Sequence, residues 1–175
     1  NVSPYLKSLT FAANNTVDTK IVLAGADTAA GNTRPLFFSS DTGTATLTVS
    51  GAGNKTINRS PKASDGGTNS MTLSSNLSVV HNGSGNLILG NGENAGSNWG
   101  IRIAGAGNLS KSGTGTMILA GNNTYTGATN INAGAVTIQR SAGLGGTGNG
   151  TSVTATGASL QLDGTTFGAL TVGSE

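Results

Sequence analysis

The chain has 175 residues, enough for one domain with a core, and only 9% of them are charged. Nine Lys and Arg against seven Asp and Glu leave a net charge of +2, and the basic residues are scattered singly from Lys7 to Arg140, so no nucleic-acid interface is expected. Cysteine is absent, which excludes disulfides, thiolate nucleophiles and Cys-based metal sites. No apolar run approaches the roughly 20 residues that a membrane-spanning helix needs.

The 29 glycines stand among Asn, Thr, Ser and short Val/Ile/Leu runs, with only three prolines. Disordered chains combine high charge with few β-branched residues, so this composition describes short strands joined by tight turns instead. Glycine at this density would cost about 1 kcal/mol at each interior helical position, which excludes helix. The expected class is all-β.

In chain order, strands are expected over 5–11 and 20–24, and over 44–50, where Ala45, Leu47 and Val49 alternate with Thr44, Thr46, Thr48 and Ser50. Segment 59–67 carries Pro61, Asp65, Gly66, Gly67 and the densest charge of the chain, and it reads as a protruding loop. From there a phrase recurs, with Gly-x-Gly-polar leading into alternating apolar residues: Gly83-Ser84-Gly85-Asn86, Gly105-Ala106-Gly107-Asn108 and Gly113-Thr114-Gly115-Thr116, with an earlier copy at Gly51-Ala52-Gly53-Asn54. Gly134 and Gly157 open two later strands. The steps from Gly83 to Gly105, Gly113 to Gly134 and Gly134 to Gly157 are all roughly 22 residues, too short for a propeller blade and suited to one turn of a solenoid.

These readings give a right-handed parallel β-helix, part of a longer rod. Rungs over 1–70 are expected to be less regular and those over 71–175 regular. Eight rungs of about 22 residues, each rising about 4.8 Å, would make a rod of roughly 40 Å. The charged-then-apolar leader of a secretory signal is not seen at the start of the sequence.

The most distinctive stretch is 109–138, built around Gly121-Asn122-Asn123-Thr124-Tyr125-Thr126-Gly127. It closely resembles the autotransporter-associated β-strand repeat, or passenger-associated transport repeat, of large secreted bacterial proteins; Met117 and Val136 stand where that repeat usually has Leu. The resemblance implies a passenger displayed at the bacterial cell surface or secreted. It further implies a C-terminal outer-membrane barrel in the same precursor as partner, and a repeat that assists export and folding of the rod. The repeat residues it points to are Gly113, Gly115, Gly121, Asn122, Asn123, Tyr125, Gly127 and Gly134. In physical terms the Asn and Gly residues supply turns and Tyr125 covers a corner of the rod. Asn side chains at equivalent turns are expected to bond along the rod axis.

Little in the chain carries chemistry. His81 is the sole histidine and, beside Asn82-Gly83, reads as a turn residue; a His triad or multi-His metal site has no second member. Among the acids, Asp18 and Asp41 are separated by about one such step, a spacing that would set them one rung apart beside Lys20 and Arg34. That pair motivates the alternative reading, a polysaccharide lyase or hydrolase on a β-helix. Trp99 and Arg102 are candidate ligand contacts, since an exposed Trp can stack on a sugar; the alternative for Trp99, and the commoner place for a large aromatic, is the core at a strand start. Neither a phosphate loop nor a calcium-binding repeat is present, because the required Lys and Asp positions are missing. The expected function is therefore a structural or adhesive passenger segment without cofactor, metal or catalytic residue, with a host-cell or glycan receptor and self-association through the rod ends as candidate partnerships. A third reading, a threonine face that binds ice, founders on Thr44, Thr46, Thr48, Thr154 and Thr156 not recurring at matching positions in successive rungs.

Overall fold

A computed structural model describes residues 5–14, 16–23, 35–59, 70–90, 101–146 and 148–172. The alternation of β-branched and small polar residues is realised as short strands that wind in layers. The first layer holds β1 (Tyr5–Leu6), β2 (Ser8–Phe11) and β3 (Thr19–Leu23), the second β4 (Leu36–Phe38), β5 (Thr44–Val49) and β6 (Lys55–Arg59). The third holds β7 (Ser70–Leu73), β8 (Asn76–His81) and β9 (Leu87–Leu89), the fourth β10 (Arg102–Gly105), β11 (Leu109–Ser112) and β12 (Thr116–Leu119). Two layers of two strands follow: β13 (Thr129–Ile131) with β14 (Ala135–Ile138), and β15 (Thr151–Val153) with β16 (Ser159–Leu162).

Each strand pairs in parallel with its counterpart in the next layer, giving three sheets in the orders β1-β4-β7-β10, β2-β5-β8-β11-β13-β15 and β3-β6-β9-β12-β14-β16. Three parallel sheets threaded in turn by one chain are a parallel β-helix. We refer to them as the first, second and third sheets. The described residues form six layers rather than the eight expected, and at about 4.8 Å per layer the first and sixth lie roughly 24 Å apart.

The rungs are also unequal. One inner column of the third sheet runs Ile21, Ile57, Leu89, Leu119, Ile138 and Leu162. The first three steps of that column are far longer than the expected period, and only the last two, from Leu119 to Ile138 and from Ile138 to Leu162, approach it. The recurring Gly-x-Gly phrase misleads because it occurs at two different corners: Gly83 lies between β8 and β9, whereas Gly105 closes β10. Gly113 and Gly134, by contrast, occupy the same corner in successive layers, where both take positive φ of 77° and 68°, a conformation open to glycine at no steric cost.

Period-2 alternation decides what lies inside. Leu47 and Val79 in the second sheet, Met117 and Val136 in the third, and Leu36, Met71 and Ile103 in the first are buried in one continuous core. The opposite phase faces out. In the second sheet Ser8, Thr46, Ser78, Ser110, Asn130 and Ser152 share one column, and Thr10, Thr48, Val80 and Ser112 share another. Thr44, Thr46 and Thr48 face Asn76, Ser78 and Val80 in the next layer, so these threonines do not recur at matching positions there.

Candidate functional site

The repeat segment takes over where the first sheet stops. After β12 the chain does not form a fifth strand against β10; instead 120–128 crosses that side without a ladder of its own. Main-chain amides still reach the layer below: Thr124 N–H donates to the Ile103 carbonyl at 2.8 Å and Thr126 N–H to the Gly105 carbonyl at 2.9 Å. The missing strand pairing is made good by a side chain. Asn123 is buried, its Oδ1 accepts the Ile103 N–H at 2.8 Å, and its Nδ2 donates to the Gly143 carbonyl at 2.6 Å. Its own N–H donates to the Ala142 carbonyl at 3.0 Å. One carboxamide thus joins the layer below to the layer above, and a buried amide so fully used holds both in register.

Tyr125 is fully buried rather than laid over a corner. Its hydroxyl shares a 2.5 Å hydrogen bond with the Thr129 hydroxyl at the start of β13, which satisfies the one polar atom of a large core residue. Glycine is required beside it: a Cβ on Gly127 would run into the Gly107 carbonyl, so the layers approach closely there. Gly121 is buried, while Asn122 is exposed. Positive φ is confined to glycine among the described residues, so Asn122 and Asn123 make their part of the crossing with ordinary negative-φ backbone. Gly113, Gly115 and Gly134 lie at the corner between the second and third sheets.

Asparagines do bond along the axis, at two other places. Asn54 Oδ1 accepts the Asn86 N–H at 2.9 Å, Asn76 Oδ1 the Asn108 N–H at 3.0 Å, and Asn108 Oδ1 the Ala128 N–H at 2.8 Å. Asp18 belongs to the first of these ladders, its Oδ1 accepting the Asn54 N–H at 2.7 Å. Asp41 follows β4, at the corner between the first and second sheets, whereas Asp18 precedes β3 at the corner between the second and third. The two acids are not one rung apart at a common corner, and the carboxylate pair behind the carbohydrate-active reading does not form. Arg34, residues 60–67 of the expected loop and Trp99 lie outside the described residues. Arg102 is half-buried on β10, and its Nε is enclosed without a hydrogen-bond partner.

Sequence reading passes over a set of inward-facing bases at the corner between the second and third sheets. Lys55, His81 and Lys111 are all buried, in the second, third and fourth layers. The Lys55 ammonium donates to the carbonyls of Gly53 at 2.6 Å and Val17 at 3.0 Å. Lys111 stands in the column Leu47, Val79, Lys111, Ile131 and donates to the carbonyls of Gly113 at 2.8 Å, Ser112 at 3.0 Å and Ala133 at 3.1 Å. Burial lowers its pKa to about 8, because an ammonium away from water loses more than its neutral form. His81 is not a turn residue but the last residue of β8, stacked on Val49. Its Nδ1 accepts the Gly83 N–H at 3.2 Å, and its Nε2 has no partner of good geometry. Burial, and secondarily the Lys111 charge, push the imidazole below its ordinary value, while backbone groups of Gly85, Val49 and Thr116 oppose the shift.

The signal for these residues is present in the phase of alternation: Leu77-x-Val79-x-His81 and Leu109-x-Lys111 put the base on the side of the leucines. Among the described residues no three His, Asp or Glu side chains converge as metal ligands would.

Comparison with curated proteins and with solved structures finds no match. Comparison with protein families matches the Passenger-associated-transport-repeat over residues 109–138. That family is not one of enzymes, and it goes with a secreted or surface location. The match begins at β11, includes Lys111, Asn123 and Tyr125, and ends with β14. The segment that crosses the open side of the first sheet and locks three layers together is an autotransporter passenger repeat.

Proposed function

We propose that the chain is a structural, adhesive segment of an autotransporter passenger, a rod that displays loops at the bacterial surface, with the repeat supporting export by completing the stack. The observation that carries this reading is the position of the repeat. Residues 109–138 occupy the point where the first sheet ends, and Asn123 bonds to both the layer below and the layer above. A rod built layer on layer depends on such joints, because each rung is stabilised by its neighbours. The partners that follow are an outer-membrane barrel in the same precursor and a host-cell or glycan receptor. Self-association through the rod ends belongs to the same reading.

The test places the segment between a secretion signal and an outer-membrane barrel and measures its accessibility to protease on intact cells. Display at the surface that falls several-fold when 109–138 are deleted is the expected result. Equal display with and without the repeat would contradict the role given to it.

A further inference from the structure

We propose that the corner formed by Lys55, His81 and Lys111 makes the middle of the rod acid-sensitive: His81 has to stay neutral for the third and fourth layers to close, and mild acid opens them. This device belongs to the fold and does not depend on the passenger reading.

Space around the imidazole is short. The ring of His81 is held between layers by backbone; a Cβ on Gly115 would come within 2.7 Å of both its Nδ1 and Cε1. The Gly115 N–H donates to the His81 carbonyl at 2.8 Å, fixing that approach. Among the described residues the charge acting on the ring is that of Lys111, so a proton added there would meet a like charge and no described counter-ion. From β11 comes Lys111, a cation, and at the corner one layer below stands Lys55, another. Phe11 and Val49 stand below His81 in its own column, and the buried core residues of β9 and β12, Leu87, Leu89, Met117 and Leu119, do not titrate. The described carboxylate at this corner is Asp18, exposed in the first layer and bonded to the Asn54 amide. An imidazolium would therefore be buried beside a like charge, the arrangement that most disfavours protonation.

The direction of the pH effect follows. His81 in the unfolded chain titrates near the ordinary 6.5, while in the folded rod its pKa is lower. Below the unfolded value the unfolded chain binds a proton that the rod does not, so stability falls as pH drops from about 6.5 toward the folded pKa. Lys111 changes charge near 8 in the rod and at 10.5 in the open chain, so it is charged in both states below neutrality and contributes no slope there. While the folded imidazole stays neutral, the unfolding equilibrium shifts by up to about tenfold per pH unit below the unfolded value.

Because the chain contains a single histidine, the imidazole can be followed without ambiguity. Its carbon-bound proton resonances are recorded by NMR on the whole chain from pH 8 to pH 4.5, together with far-UV circular dichroism. The expected result is a folded-state signal that keeps the neutral position well below pH 6.5 and is replaced by the charged signal only as the strand signature is lost. A folded-state signal that titrates at or above the ordinary value, with the fold intact, would overturn the proposal. In parallel, denaturant unfolding of wild type and His81→Gln is compared at pH 7 and pH 5. The midpoint of wild type is expected to fall more steeply than that of the variant; parallel profiles would overturn the inference equally. Should the variant fail to fold, the NMR titration of the unaltered chain decides alone.

Discussion

The first four layers and the last two solve the same packing problem differently. In layers one to four each rung has three strands, and the chain travels a long way between equivalent positions of the third sheet, from Ile21 to Ile57 to Leu89 to Leu119. In layers five and six a rung has two strands, and the steps shorten, from Leu119 to Ile138 to Leu162. The long rungs close their third side with main-chain ladders β1-β4-β7-β10. The fifth rung closes it with the crossing segment 120–128, whose main-chain amides reach the layer below and whose Asn123 carboxamide bonds to the layers on both sides. A solenoid layer is thus defined by register, not by length. In the strand-poor rung a buried side chain adds to sparse backbone bonds, so that its backbone groups still find partners.

Substitutions should expose that difference. The largest effect is expected from Tyr125→Ala, which empties a fully buried aromatic site and should cost about 3–5 kcal/mol, read as a lowered denaturant midpoint. Asn123→Ala comes next. It leaves the buried Ile103 N–H and Gly143 carbonyl without their side-chain partner, at about 1–3 kcal/mol, whereas Asn122→Ala, on the exposed neighbour, should stay within about 0.5 kcal/mol. Equal losses at 122 and 123 would show that the carboxamide is not the joint described. In the long rungs the axial asparagines supplement an existing ladder, so Asn54→Ala should cost less, about 0.5–1.5 kcal/mol.

A smaller effect separates the layers by pH. Lys111 has its folded pKa lowered to about 8 from 10.5, so the unfolded chain holds the proton more tightly. The stability of wild type should then rise as pH is raised from about 8 toward about 10. Lys111→Met should flatten that rise, and denaturant midpoints at pH 8 and pH 10 check it.

Much of the fold is legible because β-helix rungs are short strands with a strict period of two. Leu47, Val49, Leu119 and Ile138 can be assigned to a core face from alternation alone. The layer count is not legible, because Gly-x-Gly marks any tight corner, and Gly83 and Gly105 sit at different ones. The expected ladder of Asp18 and Asp41 fails for the same reason: their separation matches a rung only where rungs are short, and both acids lie in the long ones. The importance of 109–138 is readable from its motif. The reason for it, a strandless crossing bonded through Asn123 around the buried Tyr125, is not, since it depends on where the first sheet stops. Lys55, His81 and Lys111 escape notice because a charged residue is ordinarily assigned to the surface; their alternation phase says otherwise.

Layers of unequal length are stacked in one register, and the absence of cysteine makes that register directly testable. Paired cysteines are introduced at Ile88 and Ile118, which are neighbours across β9 and β12, and separately at Ile88 and Ser110, which a uniform rung of about 22 residues would make neighbours. Adjacent parallel strands lie about 4.8 Å apart, within the usual Cα separation of about 4.4–6.8 Å for a disulfide. Under mild oxidation the 88/118 pair should cross-link in the folded chain and the 88/110 pair should not, because Ser110 lies in a different sheet. Cross-linking of 88/110 without 88/118 would contradict the account.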